Sequence, residues 1–108
     1  MLITTTENVK GYKVTEVKGE VFGLVVRSRG FGGNIIANLK GFFIGGEIRQ
    51  YTSLLETSRQ QAMERMVANA RKMGANAIIM MRFDSSEISG IMSEIVAYGT
   101  AAVIEKEN

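Results

Sequence analysis

The sequence contains no cysteine, no histidine and no proline. Without cysteine there is no disulfide framework, no thiolate nucleophile and no zinc ribbon; without histidine there is no imidazole base and no Ser-His triad. Most familiar enzyme chemistry is thereby excluded, and a soft metal loses two of its three preferred side chains, leaving methionine alone. Charge of one sign is also scarce: thirteen Lys and Arg face eleven Asp and Glu, a formal +2. The calculated pI of 9.1 reflects that small excess. The basic residues are dispersed, so the aligned cations that neutralise phosphates are missing and no nucleic-acid partner is expected.

Long apolar runs are missing as well. No segment approaches 18 consecutive apolar residues, and Met1 to Glu7 has neither a basic start nor an apolar stretch. A cytoplasmic location, with no signal peptide and no membrane partner, is the expectation.

What is present describes a folding chain. The 108 residues, 45% hydrophobic and 22% charged, suit one domain over residues 1–108 with little apolar surface to spare. Residues 12 to 28 are rich in valine and read as a strand. At roughly 3.3 Å per residue a straight run would exceed the width of a compact domain, which points to a bend at Gly19 or Gly23. A glycine-rich stretch follows, and Asn34 is a candidate cap for a short helix through Ile35, Ile36 and Leu39, ending by about residue 44.

The clearest helical period runs from Glu47 to Met73, with Ile48, Tyr51, Leu55, Ser58, Ala62, Met66, Asn69 or Ala70, and Met73 on one face and Gly74 at the C-cap. Two strands complete the chain, Ala75 to Phe83 and about Met92 to Ile104, joined by a polar loop at 84–90. The pattern also allows a short N-terminal strand at Leu2 to Thr4. The fold class is α+β: a mainly antiparallel sheet of three to four strands on one long helix, plus the short helix.

From Val21 to Val26 both faces are apolar, and neither late strand has a clean polar face, although an antiparallel sheet covered on one side normally shows one. The helix, at about 40 Å, exceeds the roughly 34 Å diameter of a compact domain of this length. Both features predict a homo-oligomer in which neighbours cover the second sheet face and an overhanging helix.

Several blocks together resemble the YbjQ-like proteins of bacteria and archaea, a family described as "putative heavy-metal-binding". They are Gly45-Gly46-Glu47, Tyr51, Leu54-Leu55, Arg59, Ala62, Met66, Gly74-Ala75-Asn76-Ala77-Ile78, Arg82-Phe83-Asp84, and Glu94 with Ala97-Tyr98-Gly99-Thr100-Ala101. The resemblance covers essentially the whole chain. It implies a dodecin-like subunit of a ring-shaped homo-oligomer, a homopentamer, and no established activity.

The residues offer four candidate sites. Arg27, Arg29, Gly32, Gly33 and Asn34 bring glycine amides and two cations to a helix start, which suits an anion; a flexible turn is the plain alternative. Asp84, Glu87 and Glu94, with Ser85 and Ser86, could supply oxygens to a hard cation, or be solvated acids. Met63 and Met66 sit three apart on the helix, as Cu(I) ligands or as packing. Tyr51, Arg82 and Tyr98 could line a pocket between subunits or form interface hydrogen bonds. No cofactor is implied. The reading is a non-enzymatic, ring-forming protein, its partner itself, that binds a small ligand or ion at subunit surfaces; the alternative is a heavy-metal-binding or metal-response protein.

Overall fold

The computed structural model describes residues 1–28, 43–44, 47–88 and 92–108. Among these, β1 is Leu2–Ile3, β2 Tyr12–Ser28, β3 Phe43–Ile44, β4 Glu47–Ile48, α1 Arg49–Lys72, β5 Ala77–Ile88 and β6 Met92–Lys106. Four strands form one sheet in the order β1-β5-β6-β2, and β3 pairs with β4. The sheet is mixed rather than purely antiparallel, because β1 lies parallel to β5 through Leu2↔Ala77 and Ile3↔Ile78. The β2–β6 and β5–β6 pairs are antiparallel.

β2 matches its sequence pattern end to end, yet it is not folded over to fit a compact sphere. The molecule measures 56 × 29 × 16 Å with a radius of gyration of 17.3 Å, whereas about 13 Å is usual for this length. The long strand sets the long axis. Its pairing slips between Val14 and Glu16 and between Val17 and Gly19, and Gly19 has a φ of 120° that a side chain would resist. Gly23, by contrast, pairs regularly with Ala97, so it is no bend. It is where the helix lands: a Cβ there would stand 2.1 Å from the Ala62 carbonyl oxygen and 2.3 Å from the Met66 nitrogen.

α1 begins at Arg49, two residues later than its periodicity suggests, since Glu47 and Ile48 are strand. At 24 residues it is about 36 Å long, shorter than the molecule, so it does not overhang. Its end is a Schellman motif: Ala75 N–H donates to the Ala70 carbonyl at 3.1 Å and Gly74 N–H to that of Arg71 at 3.0 Å, with Gly74 at φ 83°. Asn76 then acts as an extra strand residue, donating from Nδ2 to the Ile104 carbonyl at 3.0 Å and accepting the Ile104 N–H at 2.8 Å.

The core lies between α1 and the sheet: Val21, Val25, Ala62, Met66, Ala70, Ile78, Met81, Ile95, Ala97 and Ala101 are buried there. Leu55, assigned to this face by its spacing, is exposed. In β5 simple alternation fails, because the β5–β6 register shifts between Ile79 and Arg82 and Met80 takes a φ of 53°. The extra residue brings Ile78 and Met81, which alternation alone would oppose, to the same core. β5 and β6 also run further than the sequence suggests, so residues 84–88 are strand and not loop. The short helix placed over residues 34–44 lies mostly outside the described residues; its last two positions, Phe43–Ile44, are strand.

Candidate functional site

Arg27 ends the helix-facing row of β2. Its Nε donates to Ser58 Oγ at 3.1 Å, and its Nη2 donates to Gln61 Oε1. Ser58, 1% exposed, donates in turn to the Leu54 carbonyl at 3.0 Å. The guanidinium therefore ties β2 to the first half of α1. Arg29, Gly32, Gly33 and Asn34 lie outside the described residues. Ser58→Ala removes the acceptor of a half-buried charged donor, and a loss of about 1–3 kcal/mol in urea unfolding is expected.

Two of the three acids of the second candidate site, Asp84 and Glu94, sit on the opposite side of the sheet. Ser86 pairs with Glu94, and Asp84 with Val96, so alternation puts Asp84, Ser86 and Glu94 on the face away from α1. Ser86 Oγ donates to Glu94 Oε2 at 3.2 Å, while Asp84 Oδ1 accepts the N–H of its neighbour Ser85 at 2.8 Å. The Glu87 backbone pairs with Ser93; its side chain is outside the described set. No group of three or more acids that could hold a metal occurs among the described residues.

The same outer face carries the most distinctive surface of the molecule. Phe22 lies opposite Tyr98, Leu24 opposite Val96 and Val26 opposite Glu94; one strand further, Tyr98 is flanked by Arg82, Val96 by Asp84 and Glu94 by Ser86. An apolar column on β2 thus grades through β6 into a polar column on β5. Phe22, Val26 and Tyr98 are 55%, 47% and 43% exposed. Arg82 is held in place, donating from Nη1 to the carbonyls of Thr5 at 2.8 Å and Met81 at 2.9 Å. At the sheet edge, side chains of α1 take up free carbonyls of β2: Asn69 Nδ2 donates to Phe22 at 2.8 Å and Arg65 Nη1 to Leu24. Sequence reasoning found Tyr98 and Arg82, and the lack of a polar face from Val21 to Val26, but not that Phe22, Leu24 and Val26 share rows with β6.

These features define a small α+β protein, with one helix on a mixed four-stranded sheet among the described residues. A likeness to a solved protein of unknown function of the DUF74 family from Pediococcus pentosaceus supports that fold, at a TM-score of 0.62 and 18% identity over 97% of this chain and 98% of the other. The chain belongs to the YbjQ_1 family, described as "Putative heavy-metal-binding", whose model matches residues 1–105. Similar relatives include UPF0145 proteins of Bradyrhizobium sp. (strain ORS 278), 62% identical over 97% of this chain and 94% of the relative, and of Saccharolobus solfataricus, 54% identical over 100% and 94%. The family has no specific established function.

The side chains present do not fit a soft heavy metal. Thiolate and imidazole are absent from the whole sequence. Of the thioethers, Met66 and Met81 are buried in the core and Met63 and Met73 pack against it, so the Met63–Met66 pair is packing. Among the described residues no helix is long and apolar enough to cross a membrane.

Proposed function

We propose that this protein is a non-enzymatic, cytoplasmic subunit of a homo-oligomeric ring, a pentamer, that holds a small ligand or ion at its subunit surfaces. The observation that carries the reading is the outer sheet face, where Phe22, Leu24, Val26 and Tyr98 stand exposed in register on two adjacent strands. A monomeric protein rarely leaves such a row in water. The 16 Å thickness is consistent with half of a layered structure, since among the described residues one helix packs on one face of the sheet and the other face has no covering layer. Anion binding at Arg27, Arg29, Gly32, Gly33 and Asn34 belongs to this proposal, with Arg27 positioned by Ser58 and Gln61.

Light scattering coupled to size-exclusion chromatography tests assembly. A uniform species several times 11.8 kDa is expected, and a monomer at micromolar concentration would overturn the proposal. The heavy-metal reading of the family has less support in this chain, because its donor set lacks the ligands such ions prefer.

A further inference from the structure

Among the described residues, the helix side of the sheet also carries a cleft between the first half of α1 and the strands β5 and β6. Leu55 and Arg59 of α1 form one wall, and Phe83, Ser85, Ser93 and Ile95 the floor, of a cleft of about 500 Å³. That is the size of ordinary small-molecule sites. Phe83 pairs with Ala97 and Ser85 with Ile95, so alternation turns Phe83 and Ser85 toward the helix, beside the core residues Ala97 and Ile95. Leu55 and Phe83 are both exposed, although each is large and apolar. The Arg59 guanidinium stands 5.7 Å from the centre of the Phe83 ring, and among the described residues the only ion pair is Lys18–Glu16. Asp84, Ser86 and Glu94 also line the cleft, but by alternation the two carboxylates belong to the far side of the sheet, where Ser85 N–H and Ser86 Oγ engage them.

We propose that this cleft binds a small organic anion with a flat apolar body, an aryl carboxylate or aryl phosphate. Arg59 receives the anionic group, in the forked geometry that guanidinium offers both carboxylate and phosphate. Phe83, Leu55 and Ile95 receive the apolar body, and the hydroxyls of Ser85 and Ser93 orient it. The site lies within one subunit and on the other side of the sheet from the proposed assembly face, so it stands or falls separately from assembly.

Calorimetric titration of the full chain, in whatever oligomeric state it adopts, provides the test. The probes are phenyl phosphate and benzoate, with inorganic phosphate, benzyl alcohol and benzylamine as comparisons. Phenyl phosphate or benzoate is expected to bind with a dissociation constant on the order of 1 mM or tighter. Each comparison compound should bind more weakly. Arg59→Gln, at an exposed position, is expected to weaken binding about tenfold or more. Phe83→Leu should narrow the margin of phenyl phosphate over inorganic phosphate. Should Arg59→Gln not fold, Arg59→Lys, which keeps the charge and loses the fork, is expected to weaken binding by a smaller factor. Absence of saturable binding, equal binding of inorganic and phenyl phosphate, preference for benzylamine, or indifference to the Arg59 substitutions would each overturn the proposal.

Discussion

Gly23→Ala is expected to cost about 4 kcal/mol or more, or to prevent folding, because the added methyl has nowhere to go. Its carbon would lie 2.1 Å from the Ala62 oxygen and 2.3 Å from the Met66 nitrogen. These are helix backbone atoms, so no side-chain rotation relieves the clash. The whole helix must lift from β2, which opens the contacts of Val21, Val25, Ala62 and Met66 together. The small residues Ala62, Ala97 and Ala101 allow this close approach only while position 23 has no Cβ. Gly11→Ala is the comparison: Gly11 has a φ of 84° but nothing within 4 Å of the place a methyl would occupy, so only backbone strain of about 1–2 kcal/mol is expected. Urea unfolding followed by circular dichroism measures both. A Gly23→Ala protein within about 1 kcal/mol of the parent would mean that the helix does not rest on β2 in this way.

The same glycine shows where reading the sequence stops. A glycine among valines marks a bend, a bulge or a close approach, and only the tertiary partner chooses among them. Gly19 turned out to be the irregular position and Gly23 the landing point. The helix was legible where Ser58, Ala62, Met66 and Ala70 recur and Gly74 caps, because one face meets one sheet throughout. Leu55 broke that pattern because the first half of α1 stands beside the uncovered part of β5. The bulge at Met80 gave no signal, since neither glycine nor a polar residue marks it, and it exchanges the faces of everything before it. Asp84, Ser85 and Ser86 read as loop by polarity, yet they pair with β6 because the outer face at that end is polar.

Of the candidate site, the surplus apolar face was legible as a missing alternation from Val21 to Val26. Which residues share its rows required the register. Arg27 was legible as a cation beside glycines, but its bonds to Ser58 and Gln61 join residues more than thirty positions apart. No local pattern carries that information.

Phe22→Glu combined with Tyr98→Glu is expected to leave a folded chain that no longer assembles. The two side chains lie directly opposite each other on β2 and β6 and are more than two-fifths exposed in the single chain, so in an isolated subunit both carboxylates stay largely in water. Their mutual repulsion is then worth well under the stability of the fold, since like charges opposite each other on exposed strands cost about 1 kcal/mol or less. In an assembly that covers this face the balance reverses. Two carboxylates must leave water; Arg82, which flanks position 98 while donating to the Thr5 and Met81 carbonyls, offsets part of the cost of the one there, but the one at position 22 costs several kcal/mol. Light scattering should therefore report 11.8 kDa with an unchanged circular dichroism spectrum, while Gln60→Glu, at an exposed position of the helix away from Phe22 and Leu24, leaves assembly intact. A double variant that keeps the parent's mass would show that neighbours meet elsewhere and that the row of Phe22, Leu24 and Val26 is open to solvent in the assembled protein.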